Sequence, residues 1–465
     1  MLSFIDPTLR GSRRSFLQAG SLALGGLTLP GLLAQQAMAW AAAGRPAVRD
    51  RSVIFLFLHG GPSQFETFDP KMSAPEGIRS TTGEIKTALP GVTFGSTFPK
   101  LAALADQLSI VRSFTTGDAN HDIKPIVAKP FLNANLGSLY ARVAGTTNPR
   151  TGMPATAALF PQSVDATTGP AQAGFGRFTS AGTLGPAYEP FVPGGGGHFQ
   201  KDLQLSIPKD RIDDRRSLLS GLDRIRRAVD QGSLEGVDKF QDQAFHSIIG
   251  GVSEAFDLKK EDPKVLERYD TAPLVRADQI SRKWNNYNHY LDNAKSLGKL
   301  LLLARRLCEA GCGFVTVTTN FVWDMHADSN NAPCEEGMQY MGRPLDHALS
   351  AFLDDVRSRG LSDKILLVTC GEMGRTPQVN KNGGRDHWGE LAPLLVAGGG
   401  LKMGQVIGQS DPRGGRPATT PNTSQNLVAT LMSSLLDIGK LRTMPGVPVE
   451  LLRAITAAEP IEGLV

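Results

Sequence analysis

Cysteine is scarce: the 465 residues hold four, Cys308, Cys312, Cys334 and Cys370. None belongs to a CxxC pair, which speaks against a zinc ribbon or a thioredoxin-like redox site. Cys308 and Cys312 lie one helical turn apart and either pair or simply pack as small apolar side chains. An excess of charge is also missing. The net charge of +4 is too small to mark a nucleic-acid binder or the partner of a strongly acidic surface. No apolar run reaches the roughly 20 residues of a spanning helix, so no stable membrane span is expected in the mature chain. There is no internal repeat and no long low-complexity tract. Gly398-Gly399-Gly400 lacks the GxGxxG spacing, so a dinucleotide site is unsupported.

What is present begins with a leader. Ser12-Arg13-Arg14-Ser15-Phe16-Leu17 is a paired-arginine motif, and the stretch from Ala19 to Leu33 is apolar and uncharged. Ala37-Met38-Ala39 and Ala41 to Ala43 offer small-residue cleavage sites. This layout predicts a twin-arginine signal peptide over residues 1–43. The partner during export is then the twin-arginine translocase, and the mature protein is periplasmic or secreted. Residues 44–465 are expected to form one α/β domain, with a loop-rich and helical insertion at about 130–300.

Val53 to Leu58 is a continuous apolar run, as in a strand buried on both faces. Similar runs occur at Ser109 to Phe114, Phe314 to Thr318, Lys364 to Thr369 and Ala392 to Val396. Apolar spacing of three and four predicts helices over 215–230, 238–256, 277–310, 343–359 and 424–438. Alternating strands and helices imply a doubly wound, mostly parallel sheet with helices on both faces. Its ligand site belongs beyond the carboxyl ends of the strands.

Polar residues gather after those strands. The segments are His59-Gly60-Gly61 with Glu66 and Asp69; Thr115-Thr116 with His121-Asp122; Asp324 and His326; Glu372 and Arg375; and Arg385-Asp386-His387-Trp388. Imidazole and carboxylate together suit zinc, manganese or iron; calcium also stays open. One ion or two could sit there, two being able to clamp the attacking and leaving oxygens of an ester. Each segment has a plainer reading. Asp324 and His326 fit a solvated loop, Glu372 and Arg375 a structural ion pair, and His59 a structural histidine. His198, His246, His289 and His347 read as structural. The convergence of several strand ends outweighs any single motif.

Leu58 to Lys71 (LHGGPSQFETFDPK), Asn120-His121-Asp122, Trp323 to His326 and Gly371 to Trp388 (GEMGRTPQVNKNGGRDHW) resemble the signature segments of an exported bacterial family. It is the domain-of-unknown-function family 1501, and the resemblance runs from about Ser52 to Asp411. That family in turn looks like a branch of the alkaline-phosphatase/sulfatase superfamily. The resemblance implies a doubly wound sheet holding one or two metal ions. Asp324, His326, Glu372 and His387 fall where the superfamily has metal ligands, although Met373 replaces the histidine that usually follows at the third of these. His59-Gly60-Gly61 stands where an aspartate is common. The nucleophile position after the second strand offers Thr115 or Thr116, without the sulfatase Cys-x-Pro-x-Arg signature.

The reading expected is a metal-dependent hydrolase of a phosphate or sulfate ester, with a small ester or a polysaccharide as substrate. Asp324, His326, Glu372 and His387 would hold metal, with His121 or Asp122 completing the set. Thr115, Thr116 or a metal-bound water would attack, and Arg375 or Arg385 would neutralise the transferring group. The alternative is a non-catalytic, metal-stabilised binding or assembly protein.

Overall fold

A computed structural model describes residues 47–193 and 252–465. The expected leader and the helix expected over 215–230 lie outside the described residues, as do His198, His246 and most of the helix expected over 238–256. Its last turn, Val252–Phe256, is helical.

Seven strands form the main sheet. They are β1 (Ser52–Phe57), β2 (Leu108–Val111), β3 (Thr156–Leu159), β4 (Phe314–Thr318) and β5 (Ile365–Cys370). A separate antiparallel hairpin follows, β6 (Gly374–Val379) with β7 (Arg385–Trp388). The sheet resumes with β8 (Leu394–Gly398) and β9 (Gln405–Ile407). The spatial order is β9-β2-β8-β5-β1-β4-β3.

The apolar run of β1 is explained by the layers around it. Val53, Phe55 and Phe57 face a core that includes Leu136, Leu139, Leu427 and Leu431. These come from helix α1 (Leu136–Ala144) and the late helix Ser424–Leu435. Ile54, Leu56 and Leu58 face the other core with Leu300, Leu303, Leu345 and Leu349. Those residues come from α2 (Tyr287–Glu309) and α3 (Cys334–Ser358). Each fully buried Phe or Leu contributes about 2–3 kcal/mol, so alternate faces of a single strand hold both helical layers.

Several sequence expectations change. The sheet is mostly parallel as expected, four pairings being parallel, but β8 runs antiparallel to both neighbours. Residues 130–193 do more than cover the sheet: they supply α1 and the edge strand β3. Helix α2 begins at Tyr287 rather than Ala277. Ahead of it, Asn285 and Asn286 bind the side-chain oxygens of Asn330 and Asn331 at 2.8 Å, holding that segment to the loop after β4. Helix α3 begins at Cys334 rather than Arg343 and carries Pro344 in its interior. Proline favours a first turn, which is why the sequence reads as if the helix began there. All four cysteines are buried and free, so Cys308 and Cys312 pack rather than pair.

Candidate metal centre

The β1, β2, β4 and β5 strands all end at one edge, since Phe57 is level with Thr318 and Cys370, and Leu394 with Cys370 and Val111. The reversal of β8 makes its start, not its end, lie at that edge. The chain therefore passes His387 and Trp388 on the rim before entering β8.

Two glycines let the rim segments close on one another. Gly60 has φ +117°, and a Cβ there would lie 2.6 Å from the Asp324 amide nitrogen. That contact is far inside van der Waals range, and the conformation itself favours glycine. The neighbouring His59 carbonyl accepts from the Val322 and Trp323 N–H groups at 3.2 and 3.1 Å. A Cβ on Gly384 would lie 2.2 Å from the His326 carbonyl carbon. This lets the β6–β7 hairpin press against the Asp324–His326 segment, where Arg385 N–H donates to Met325 O at 3.1 Å. In the hairpin His387 is directly opposite Arg375.

The result is four donor atoms, one each from His121, Asp324, His326 and His387, all within 4.8 Å of one another. Asp324 is the hub. Its Oδ1 is 2.8 Å from His326 Nε2, 3.2 Å from His387 Nε2 and 3.4 Å from His121 Nε2. His326 Nε2 and His387 Nε2 face each other at 2.6 Å, so at most one proton fits between them. His121 Nε2 is buried and lacks a hydrogen bond. Three imidazole nitrogens and one carboxylate oxygen aimed at a common point are a donor set that zinc or another divalent transition metal fits.

Arg375 contributes the fourth close contact to Asp324 Oδ1, at 2.6 Å. Burial by itself would raise the Asp324 carboxyl; the Arg375 guanidinium and the three imidazoles reverse that and hold it far below the ordinary carboxylate range. Asp324 is thus a permanent anion. Glu372, fully buried, lies one step behind the donors. Its Oε1 accepts from Gly60 N–H and stands 2.9 Å from His121 Nδ1. That bond fixes the ring so that Nε2 points at Asp324, the usual service of a carboxylate behind a metal-binding histidine. Burial lowers the pKa of His121, while the two carboxylates beside its ring, Asp324 and Glu372, outweigh it and raise the group overall.

The other predicted site residues are placed elsewhere. Asp122 is not in the donor set: its carboxylate is half exposed and pairs with Lys124 Nζ at 2.5 Å. Arg385 is fully buried against Glu66, with further bonds to the Ile78 and Arg79 carbonyls at 3.0 Å. It ties the loop after β1 to the hairpin and has no contact with the donors. Arg375 is 1% exposed and donates to the Gly60, Gly61 and Arg385 carbonyls as well as to Asp324. It holds the cluster together from inside rather than reaching a bound molecule. Thr115 donates its hydroxyl to Gly389 O at 2.9 Å, and the Thr116 hydroxyl stands 3.5 Å from Asp118 O.

An aromatic shell around the cluster was not foreseen. His59 is completely buried, with neither ring nitrogen hydrogen-bonded. It sits among Phe57, Phe175, Phe178 and Phe321, at centroid distances of 4.9 to 5.7 Å. Burial lowers its pKa to about 4 despite the nearby Glu372, so it is neutral. Phe321 also meets the His121 ring at 4.7 Å. Phe321 could have been suspected from its place between β4 and Asp324; Phe175 and Phe178, in a glycine-rich loop without periodicity, carried no signal.

A family model described as "Protein of unknown function (DUF1501)" matches residues 50–446. No curated protein matches the chain in sequence. Among solved structures, the PsFucS1 sulfatase from Pseudoalteromonas sp. is 11% identical, with 82% of this chain and 69% of that chain covered and a TM-score of 0.32. The phosphonate monoester hydrolase SpPMH from Silicibacter pomeroyi is 10% identical, with coverage of 83% and 74% and a TM-score of 0.31. Alkaline phosphatase from the Antarctic bacterium TAB5 is 13% identical, with coverage of 77% and 94% and a TM-score of 0.24.

Proposed function

We propose, for a chain that belongs to the DUF1501 family, that the strand-end cluster is a divalent-metal centre and the protein an exported hydrolase of a phosphate or sulfate ester. The observation that carries this reading is the convergence of His121, Asp324, His326 and His387 on one point. Coming from segments far apart in sequence, they are held there by a buried arginine on Asp324 and a buried glutamate on His121, which also tie in the turn after β1. We read the fold as the alkaline-phosphatase/sulfatase type, which the strand-end position of the cluster supports.

A divalent ion bound there would supply Lewis acidity and a bound water acidic enough to ionise near neutral pH. The chain's own residues do the rest. Asp324 and the three histidines hold the ion, Glu372 sets the His121 ring, and Arg375 keeps Asp324 ionised and immobile. Phe321 and Phe175 cover His121 and exclude water from that side. The Thr115 hydroxyl is committed to the Gly389 carbonyl, and we favour attack by water over a covalent threonine intermediate.

The commitment of Thr115, Arg375 and Arg385 to structural partners favours the second reading, a metal-stabilised protein without turnover. Mature protein purified from its host separates the two. The hydrolase reading expects about one or two equivalents of transition metal and hydrolysis of an aryl phosphate, a phosphodiester or an aryl sulfate. Metal without turnover on that panel leaves the second reading; no metal and no turnover with any divalent ion ends both. Export is tested separately. Arg13→Lys with Arg14→Lys should retain a reporter fused to residues 1–43 in the cytoplasm, and unchanged export would refute the twin-arginine assignment.

A further inference from the structure

The loop that covers the cluster also walls a cavity. Phe175 stacks on Phe321 at 4.6 Å and 28°, and its ring meets His121 at 5.2 Å and His59 at 5.6 Å. Even so it is 36% exposed. The other exposed large apolar side chains among the described residues are Val192, Val449 and Val465. Val192 lines a cavity of about 270 Å³, together with Phe160, Ala173, Phe178 and Pro193. Phe178 lines the cavity and also meets the His59 ring at 5.5 Å. The cavity and the aromatic shell around the cluster therefore share one ring.

The cavity's polar groups are largely spent. Gln162 donates to Thr168 O at 3.1 Å and Ser163 to Pro193 O at 3.3 Å. Arg177 is paired with Glu189. No unpaired charge is left to recognise an ion, whereas phenylalanine rings offer flat apolar faces. The volume is near the lower end of ligand pockets, enough for a single ring.

We propose that this cavity, flanked by Phe175 next to the lining residue Gly176, binds the uncharged part of the substrate that is not transferred, as a ring with an apolar face: a sugar or an aryl group. The assignment to a substrate rests on the hydrolase reading; the ring site itself does not. It is tested without turnover, on the mature full-length protein, by saturation-transfer NMR with 4-nitrophenol and with methyl β-glucoside. Ala173→Trp, at an exposed position, fills the cavity, and Phe175→Ala removes the platform. At least one probe should bind the wild type, and each variant should weaken it by about tenfold, with metal content unchanged in Ala173→Trp. Binding of the phenol alone identifies an aryl ring, and binding of the glucoside identifies a sugar. If neither probe binds, or if Ala173→Trp binds as well as wild type, the proposal is overturned. Ring binding that persists in a protein without metal or turnover would fault the hydrolase reading instead.

Discussion

Replacing His387 by alanine isolates the metal from the fold. The imidazole is 30% exposed and sits on a short hairpin strand. Its only polar contacts in the cluster are His326 Nε2 at 2.6 Å and Asp324 Oδ1 at 3.2 Å. Without metal, its loss removes about one net hydrogen bond, roughly 1 kcal/mol. With metal, one of four donors is gone. Removing even a supporting residue behind a ligand lowers metal affinity about 10–100-fold, so a ligand should cost at least the upper value. At a free metal concentration of about 100 times Kd, binding adds about 2.7 kcal/mol to stability, and a hundredfold weaker site retains only about 0.4 kcal/mol. For a domain of this size the difference of about 2.3 kcal/mol corresponds to a fall in Tm of about 3 °C. The assay is a pair of thermal melts, one with zinc and one with chelator, alongside metal content by mass spectrometry after dialysis. The wild-type-to-variant gap should be about 1 °C with chelator and widen by about 3 °C more with zinc. An equal gap in both conditions, or equal zinc retention by both proteins, would refute the assignment of His387 as a ligand.

Glu372→Gln should keep the fold and weaken zinc binding about 10–100-fold, because the His121 ring loses its anionic anchor; isothermal titration checks this, and unaltered affinity would remove Glu372 from the site's support. Gly60→Ala should cost at least about 2 kcal/mol in urea unfolding, since it combines a left-handed backbone with a clash against the Asp324 segment; a neutral result would mean that the turn after β1 is adaptable. Glu261 binds Arg305 at 2.6 Å and Arg306 at 3.0 Å. Burial would raise its pKa, but the two arginines bring it down to about 2. Its contribution is therefore complete above the unfolded value of about 4.3 and is lost as pH falls from there toward the folded value. The stability gap between wild type and Glu261→Gln should narrow between pH 7 and pH 3; a constant gap would show that the pairing is not electrostatic.

Much of this was legible in the sequence because burial on both faces leaves a local trace. The cores of β1, β4, β5 and β8 read as apolar runs, and the polar residues next to them mark the rim. Strand direction left no such trace: an apolar run reads the same either way, and only the pairing of Leu394 with Cys370 reveals that β8 is reversed. Partners chosen at long range were equally hidden. Asp122 and Asp324 are both carboxylates next to a histidine or near one, yet Lys124 lies two residues from the first and Arg375 crosses the sheet edge to the second. Arg385 belongs to the GRDH motif, but its partner Glu66 is 319 residues away in the chain. The β6–β7 hairpin combines proline, glycine and charged residues without alternation, so periodicity could not find it.

The hub of the cluster has a consequence for timing. His121 and Glu372 meet across a separation of 251 residues, and neither points usefully until the strands between them have assembled. No fragment of the chain owns the coordination sphere, so a cation can be captured only once closure is complete. On the proposed twin-arginine export, the chain would fold before crossing the membrane and could take its metal on the side where it was made, so the ion found in it would report the supply of that compartment.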